Sequence, residues 1–409
     1  MAITIVQAPG GLATPNTHYS VHSPLWFVVT SSNVAQPDFR FVFDVYSAGV
    51  VLLGRLKISP DALGQGVADV SQLIRGLLTN YYNPRGTAYS PFTMNTNSIT
   101  VPYIIQFGEE YSNTVYPALT TDTYFAYNAY SGDTPGQFPD QPTTDVDHQF
   151  ATSRPINPLT DIIYMPRDGR AFLSYLNAPE EDLIIEVQEL DLYGEPNFFT
   201  GVKTSNVNTF LDKLVVLNLN LDYINLASFT PATPLSSTAP GYQIRVIRGD
   251  GVTFTDWVKV MWMCEAKTDA TAVHFLNRYG AFDTYHFAGP TRKSVDLDRK
   301  EYQKIGAVLS SGLIREYDVS NNVYAETTVA FHTKHKWERK LSSGFVNDAT
   351  HEWLWQLVAS PQVYLEHNGY SYPVVIKTSR WQEKLTRFDK MYNLEIEIEM
   401  GRRVNSQSR

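Results

Sequence analysis

Alternation of large apolar and polar residues dominates the chain, and it predicts β-strands rather than helices. Residues 37–59, PDFRFVFDVYSAGVVLLGRLKIS, predict a hairpin that turns at Ser47-Ala48-Gly49. Because successive residues of a strand point to opposite sides, its first strand places four apolar side chains on one face. These are Phe39, Phe41, Phe43 and Val45. Residues 24–31, PLWFVVTS, predict a third strand of the same sheet.

Further strands follow the same pattern through the middle of the chain, at 97–113, 182–194 and 210–226. Residues 242–266 predict a hairpin around Gly249-Asp250-Gly251. Residues 363–377, VYLEHNGYSYPVVIK, predict another around Asn368-Gly369, a dipeptide that favours two-residue hairpin turns. We therefore predict a mainly β protein with multi-domain β-sandwich or β-barrel modules and a few short helices.

The last predicted strand, YNLEIEIEMG, separates an apolar face from an acidic one. Leu394, Ile396, Ile398 and Met400 alternate with Glu395, Glu397 and Glu399. Like charges in a row on one face of a sheet repel one another, so we expect cations opposite them. The candidates are Arg402, Arg403 and a lysine of a neighbouring strand, in this chain or the next.

Two short helices interrupt the predicted strands. Residues 66–82 carry an apolar stripe at helical spacing, with Asp69 as the cap and Gln72 completing a capping-box pattern. The stripe consists of Val70, Leu73, Ile74, Leu77 and Leu78. Residues 347–360 predict a second helix, capped by Asn347. Its apolar side consists of Trp353, Leu354, Leu357 and Val358.

Residues 131–159 differ from the rest of the chain, since they contain several prolines, threonines and aspartates and few aliphatic residues. We interpret them as a long loop or a linker between domains. A length of 409 residues suits two or three domains. We predict an N-terminal domain over 1–130 with one helix, a middle domain over 160–289, and a C-terminal domain over 290–409 with the other helix.

The composition excludes several classes of protein. The single cysteine, Cys264, allows no disulfide within the chain and no cysteine-based metal site. The first residues contain neither a basic region nor a long apolar run, so no signal peptide is expected. No stretch approaches about eighteen uncharged apolar residues, so no membrane span is expected. These features predict synthesis in a reducing cytoplasm.

Charge is unevenly distributed along the chain. The net charge of −9 disfavours general binding of nucleic acid. Residues 290–409 hold 18 Lys and Arg against 15 Asp and Glu, a net of +3, which leaves −12 for the rest. Either the N-terminal portion is simply the more acidic one, or faces of opposite sign meet in an assembly.

The sequence contains no phosphate-binding loop, nucleophile elbow or zinc-protease helix. Cys264 lies in an alternating strand, which is typical of an inert buried thiol. His332 and His335 point to opposite faces of a predicted strand and so cannot share a metal. A hard cation could bind at Asp145, Asp147 and His148, although a solvated acidic loop explains them better. We predict no catalytic, cofactor-binding or metal-ligating residue, no cofactor and no enzymatic activity.

Residues 274–289, HFLNRYGAFDTYHFAG, form an aromatic cluster without a reaction motif. We interpret the cluster as packing at a junction between the middle and C-terminal modules, with a subunit interface and a ligand site as the alternatives. Asn277 and Arg278 are expected to fix a turn by hydrogen bonds. The side chains expected to be buried are Phe275, Tyr279, Phe282, Tyr285 and Phe287.

Three stretches resemble virion structural proteins of tailed bacteriophages. Residues 275–289, FLNRYGAFDTYHFAG, are similar to an aromatic stretch that recurs in such proteins. Residues 37–74 resemble their N-terminal block of strands, hairpin and helix. Residues 359–400, which begin ASPQVYLEHNGYSYPVV, resemble their C-terminal ending. The middle of the chain shows no such resemblance.

The resemblance implies a protein of the tail, neck or baseplate, present in several copies around the particle axis and synthesised in the host bacterial cytoplasm. It implies β-sandwich or β-barrel modules with long loops that reach neighbouring subunits, and it brings no catalytic residues. The expected partners are further copies, as a ring, and other virion structural proteins. The alternatives are a carbohydrate- or receptor-binding tail module and an enzyme that uses two carboxylates on cell-surface glycans.

Overall fold

In the computed structural model, the chain falls into two compact units, Met1–Glu265 with His274–His286 and Ala266–Val273 with Phe287–Arg409. The domains predicted over 1–130, 160–289 and 290–409 stay a prediction. Among the described residues, no helix is long and apolar enough to cross a membrane. The structure describes residues 3–9, 18–47, 51–79, 82, 92–95, 100–121, 123–130, 148–150, 152–155, 162–177, 182–198, 201–207, 214–225, 235–236, 238–249, 251, 255–263, 270–380, 392–401 and 404–405.

Strands form most of the regular structure, which confirms the predicted mainly β class. The first eighteen described strands are β1 (Ile3–Gln7), β2 (His18–Ser20), β3 (Trp26–Ser31), β4 (Arg40–Ser47), β5 (Leu52–Ile58), β6 (Gln65–Asp69), β7 (Phe92–Asn95), β8 (Thr100–Tyr111), β9 (Thr114–Thr120), β10 (Tyr124–Tyr127), β11 (His148–Phe150), β12 (Ile162–Met165), β13 (Phe172–Asn177), β14 (Leu183–Leu190), β15 (Lys203–Val207), β16 (Leu214–Asn218), β17 (Gly241–Arg248) and β18 (Val258–Trp262). The helices among them are α1 (Ser71–Arg75) and α2 (Leu221–Asn225). The remaining described elements are β19 (Thr271–Leu276), β20 (Phe282–Phe287), β21 (Arg292–Gln303), β22 (Val308–Ser310), β23 (Leu313–Arg315), β24 (Tyr317–Asp318), β25 (Val323–Tyr324), β26 (Thr328–Val346), α3 (Asp348–Ala359), β27 (Val363–His367), β28 (Tyr370–Ile376), β29 (Tyr392–Met400) and β30 (Val404–Asn405).

Two sheets of the first unit enclose an aromatic core. One has the order β1-β3-β6, and the other has the order β2-β10-β8-β4-β5 with β9 on β8. The Phe27 ring of the smaller sheet packs on Phe107 and Tyr124 of the larger one, with ring centroids 6.0 and 5.4 Å away. The prediction that residues 24–31 extend the β4–β5 sheet is therefore wrong. Alternation shows which side chains of a strand are buried, but it does not show which strand is the neighbour.

The strand pairing predicted over residues 37–59 is confirmed, since β4 and β5 pair antiparallel. Ala48 and Gly49 of the predicted turn lie outside the described residues. The predicted apolar face of the first strand is buried. The opposite face is not simply solvated, because Val42 and Asp44 are buried as well. Asp44 accepts two hydrogen bonds from Arg55, at 2.6 and 2.7 Å. The buried Asp44 carboxylate is therefore paired with the Arg55 guanidinium in a bidentate geometry.

The first predicted helix is shorter than its apolar stripe. α1 ends at Arg75, and its N-cap residue is Val70. Asp69, which the sequence predicted as the cap, therefore lies one position before the N-cap residue. Its carboxylate instead accepts hydrogen bonds from the backbone N–H groups of Ser71 and Leu25, both at 2.9 Å. The side chain thus joins the start of the helix to a residue forty-four positions earlier in the chain.

A second pair of sheets encloses an aliphatic core. The strand orders are β11-β13-β16-β7 and β12-β18-β17-β14-β15. Leu173 and Leu217 of the first sheet and Ile185 and Val246 of the second are fully buried in the same cluster. The predicted loop over 131–159 contains β11, which pairs with β13, so this part of it is not a loop. Residues 131–147 lie outside the described residues.

The strand predicted over residues 210–226 is wrong in its last third. β16 ends at Asn218, and α2 begins at Leu221. The Asn218 side chain accepts a hydrogen bond from the N–H of Asn220 at 3.0 Å, and the Asn220 side chain accepts one from Asp222 at 2.9 Å. Such local bonds compete with strand pairing, and they turn the chain out of the sheet here.

In the second unit, a sheet with the order β27-β28-β29-β26-β21 carries β30 on β26. β27 and β28 form the predicted hairpin, with His367 opposite Tyr370. Asn368 and Gly369 adopt φ angles of 52° and 73°, as a two-residue turn of this hand requires. The pairing of the two strands predicted within 242–266 is also confirmed, because β17 and β18 of the first unit pair antiparallel from Gly241 opposite Met261 to Ile244 opposite Val258. Asp250 of the predicted turn and residues 264–266 lie outside the described residues.

Lysines of the same chain face the glutamates of β29. Lys340 lies 2.6 Å from Glu395, and Lys336 and Lys377 each lie 3.1 Å from Glu399. Hydrogen bonds from Lys336 and Lys377 lower the pKa of Glu399. The predicted need for cations opposite this strand is confirmed, with lysines within the chain as their source. Arg402 and Arg403 lie outside the described residues.

The helix predicted over residues 347–360 is confirmed as α3. The Asn347 side chain accepts a hydrogen bond from the N–H of Thr350 at 2.8 Å. Trp353, Leu354 and Leu357 are buried, which places the predicted apolar side on the core.

Replacing Asn347 with alanine should lower the free energy of unfolding by about 1 kcal/mol, because the N–H of Thr350 loses its acceptor. Urea unfolding of the variant and the wild type measures the difference. Asn347→Asp keeps an acceptor at the same position and should retain most of the stability. An alanine variant as stable as the wild type would show that this cap contributes nothing.

Candidate assembly surface

A long arm built on the pair β21–β26 extends the sheet of the second unit, and β26 also pairs there with β30 at residues 334–335 and with β29 at residues 338–340. We define the arm as β21, residues 328–340 of β26 and the tip between them, residues 304–327. β21 pairs with β26 from Arg292 opposite Lys340 to Gln303 opposite Thr328. All twelve residues of β21 are exposed, and β21 has no second neighbour among the described strands. At ~3.4 Å per residue, this strand alone is about 40 Å long.

One face of the arm is apolar and basic. Residues directly opposite each other in an antiparallel pair share a face, and so do alternate residues of one strand. By the observed register, one face is formed by Lys293, Val295, Leu297, Arg299, Thr333, His335, Trp337 and Arg339. We call this set the basic-apolar face. Val295, Leu297 and Trp337 are between 40% and 48% exposed, although they lie on ordered strands.

The cations of this face have no anionic partner in the described part of the chain. Lys293 and Arg339 are opposite each other at one end of the apolar residues, and Arg299 lies at the other end. None of the three takes part in an ion pair between described residues. Burial, Arg339 and Lys293 together lower the pKa of His367, in the order given. The face is thus positive as well as apolar.

The opposite face of the arm has a different character. Asp296 and Asp298 alternate there with Arg292 and Ser294, so both signs of charge are present. On β26 the same face contributes Lys336, Glu338 and Lys340, and each of them forms an ion pair within the chain. Over residues 293–299 of β21, only the basic-apolar face therefore combines exposed apolar side chains with a single sign of charge. Glu301 follows in the same alternation, beyond the irregularity in the register between Lys300 and Glu301.

The basic-apolar face continues the buried face of the sheet. Leu341, next in the alternation after Arg339, is fully buried opposite Ile396 of β29. His351 of α3 stacks on Tyr392 of β29, with ring centroids 4.6 Å apart, so the helix lies against this part of the sheet. Along β26 the apolar face therefore passes from a covered region to the exposed residues of the arm.

The tip of the arm is ordered and exposes further apolar side chains. Ser310 donates a hydrogen bond to Asp318 at 3.2 Å, and the N–H groups of Val319 and Ser320 are held by the same two side chains. Hydrogen bonds to its carboxylate lower the pKa of Asp318, that from the Ser320 N–H most, followed by those from the Asn321 side chain and the Ser310 hydroxyl. The exposed residues include Ile305, Leu309, Leu313, Ile314, Val323 and Tyr324.

The aromatic stretch that dominates the sequence lies elsewhere. β19 and β20 are buried along their whole lengths, and residues 277–281 turn the chain between them. The Asn277 side chain accepts hydrogen bonds from the N–H groups of Tyr279 and Ala281, at 2.9 and 3.1 Å. The prediction that Asn277 fixes a turn and that the aromatic side chains are buried is confirmed.

This stretch is held to segments that the sequence did not associate with it. The Arg278 carbonyl accepts a hydrogen bond from the N–H of Tyr130 at 2.7 Å. Asp283 accepts one from the Ser153 hydroxyl at 2.6 Å, and Arg154 donates one to the Thr284 carbonyl at 3.2 Å. Within the first unit, the stretch therefore joins the end of the predicted N-terminal domain to the predicted linker.

His286 is a buried histidine within this stretch. Neither ring nitrogen has a hydrogen-bond partner among the described residues. Burial lowers its pKa to about 3, with His274 and Arg154 as smaller causes. The imidazole is therefore neutral in the folded protein at neutral pH.

The residues weighed for chemistry from the sequence do not converge. His332 and His335 lie on β26, a strand, as predicted. In the parts of the chain that the structure describes, no three His, Cys, Asp or Glu residues are placed to hold a metal ion. Cys264, Asp145 and Asp147 lie outside the described residues, and His148 is described only as part of β11.

The arm was not predicted from the sequence, although its signal is present there. In RKSVDLDRKEYQ, residues 292–303, two apolar residues alternate with charged ones and have cations on both sides. Such a pattern does not distinguish a half-buried strand from an exposed one, because a strand's own sequence does not show whether another element packs against its apolar side.

Comparison of the sequence with models of protein families gives no match, and comparison with curated proteins gives none either.

Proposed function

We propose that this chain is a structural subunit of a tailed-phage virion, in the tail, neck or baseplate, and not an enzyme. It acts through contacts with further copies and with other virion proteins, and it is made in the host bacterial cytoplasm before assembly. The observation that supports the assembly function is the arm, with apolar side chains exposed on ordered strands. The phage assignment is supported by the resemblance of residues 37–74, 275–289 and 359–400.

Burial of the arm in a contact is favourable for two physical reasons. Removing apolar surface from water stabilises a complex by roughly 25 cal/mol per Å² before the cost of association is counted. A strand such as β21, with one neighbour among the described strands, also presents backbone N–H and C=O groups on its outer edge. Exposed apolar surface on ordered structure marks interaction sites more often than scattered surface residues do.

The mass of the purified protein in solution tests this function. We expect the wild type to form a multimer of several chains of 46.2 kDa, visible as rings by negative-stain microscopy. Replacing residues 305–326 with Asn-Gly should reduce the number of chains in the assembly without lowering the melting temperature. The N–H of Lys304 donates to the Thr327 carbonyl at 2.9 Å, so a two-residue turn can close the arm there.

Two outcomes separate assembly from recognition of carbohydrate. A protein that stays a monomer alone and with purified virion proteins, and is stabilised against heat by bacterial glycans, is a recognition module and not an assembly subunit. If the shortened variant forms an assembly with as many chains as the wild type, the tip takes no part in assembly.

A further inference from the structure

A turn in the first unit exposes large apolar side chains beside acidic ones. We define the acidic-apolar turn as residues 191–198, between β14 and β15. Leu192 is 84% exposed, Tyr193 is 90% exposed and Phe198 is 86% exposed. Asp191 and Glu195 lie in the same turn, and residues 191–202 contain no lysine or arginine.

Hydrogen bonds of the Asp191 side chain and of the backbone hold this turn. The Asp191 carboxylate accepts hydrogen bonds from the N–H groups of Tyr193 and Glu195, at 2.8 and 2.9 Å. The N–H of Asp191 donates to the Glu195 carbonyl at 2.8 Å, and Gly194 supplies the φ of 76° that the turn needs. Since the turn is already ordered, binding to it costs little additional backbone entropy.

The turn and the basic-apolar face are complementary. Each presents three large apolar side chains, and the charges beside them are two carboxylates on the turn and three cations on the arm. Lys259, whose side chain is 13% exposed, lies 3.7 Å from Glu195, whose side chain is 69% exposed, so this carboxylate already has one cation beside it within the chain. The net charge of each unit has the same sign as the surface that it carries. Residues 287–409 with 266–273, which contain the basic-apolar face, have a net charge of +3, and the first unit, which contains the turn, has −12.

We propose that the basic-apolar face of one copy of this chain binds the acidic-apolar turn of a neighbouring copy. The inference rests on the proposed assembly function and names the surface that receives the arm. Two arms brought face to face would place like charges together, and so would two turns. The contact is therefore heterologous, so each subunit gives its arm to one neighbour and its turn to another. Contacts of this kind close into rings when the rotation between subunits permits it.

Complementary defects test a heterologous contact directly. In the arm variant, Val295→Asp and Leu297→Asp place carboxylates on the basic-apolar face. In the turn variant, Leu192→Asp and Tyr193→Asp do the same on the turn. All four side chains are at least two-fifths exposed, so both variants should fold like the wild type, as circular dichroism can check.

We expect each variant alone to be monomeric, with an apparent dissociation constant raised at least tenfold. A mixture of the two should stop at a dimer, because one intact arm and one intact turn remain between them. The matched control, Ser294→Asp with Lys300→Asn, changes the net charge by the same amount on the opposite face of the same strand. It should assemble like the wild type.

The other outcomes overturn the inference in distinguishable ways. If the arm variant dissociates and the turn variant does not, the assembly function stands and the arm binds another surface. If both variants assemble like the wild type, the chains join without this contact. If the mixture stays monomeric although each variant is folded, arm and turn are not partners. If the wild type itself is monomeric, the receiving surface does not belong to a second copy, and a purified virion protein that binds the arm would then identify the partner.

Discussion

Replacing Gly280 with alanine should destabilise the first unit by about 2–5 kcal/mol, which combines a left-handed backbone with a steric clash. Gly280 has a φ of 79° in the turn that follows Asn277. A Cβ atom there would overlap the carbonyl oxygen of Asn128, and a backbone atom cannot move aside as a flexible side chain can. The neighbouring segment is also fixed, because the N–H of Tyr130 donates to the Arg278 carbonyl.

Gly251→Ala is the matched control for this prediction. Gly251 has a φ of 85°, but a Cβ atom there would meet no described atom within 4 Å. Its cost should be limited to the strain of the backbone, roughly 1–2 kcal/mol. Urea unfolding of both variants measures the clash as the difference between them. Equal losses of stability would show that Asn128 and the 277–280 turn are not packed as described.

Acid should destabilise the protein partly through His286. Its pKa is about 3 when folded, below the ordinary value of 6.5, so between these values the unfolded chain binds a proton that the folded chain does not. The stability associated with the neutral imidazole is therefore complete above pH 6.5 and is lost as the pH falls towards 3. The loss from this group is about 1.4 kcal/mol for each pH unit below 6.5.

His286→Leu should remove that contribution while other acid-labile groups keep theirs. Between pH 7 and pH 5, the variant should lose about 2 kcal/mol less stability than the wild type. Unfolding by urea across this pH range gives both slopes. His332→Leu, on the exposed arm, leaves His286 in place and should show the slope of the wild type. Parallel curves for the wild type and His286→Leu would mean that the imidazole is solvated or protonated in the folded protein.

Local signals predicted local structure well. Asn368-Gly369 defines its hairpin through the two left-handed residues that the turn requires, and Asn347 ends a polar segment before a helical apolar stripe. The glutamates of β29 indicated opposing cations because repulsion along a strand needs compensation nearby. In each case the determining interactions lie within a few residues or on an adjacent strand.

Relations between distant segments could not be predicted in the same way. β3 has the alternation that was expected of a strand in the β4 sheet but lies in the facing sheet, since alternation marks Phe27 as buried without showing which strand is the neighbour. The bond between Asp283 and Ser153 spans 130 residues, and no periodic pattern records it. The exposure of Leu192 and Trp337 depends on whether another segment of the chain covers them, and the local sequence pattern does not contain that information.

The continuity of β26 has a mechanical consequence. Its nineteen residues form one strand from the tip of the arm to the N-cap of α3, with irregular pairing opposite Lys300/Glu301 and between Ser342 and Phe345. A pull along the arm would load the hydrogen bonds between β26 and β29 in shear, because these bonds lie across the strand direction and share the force. The arm is therefore anchored in the sheet through β26, and several hydrogen bonds would resist a pulling force on it at the same time.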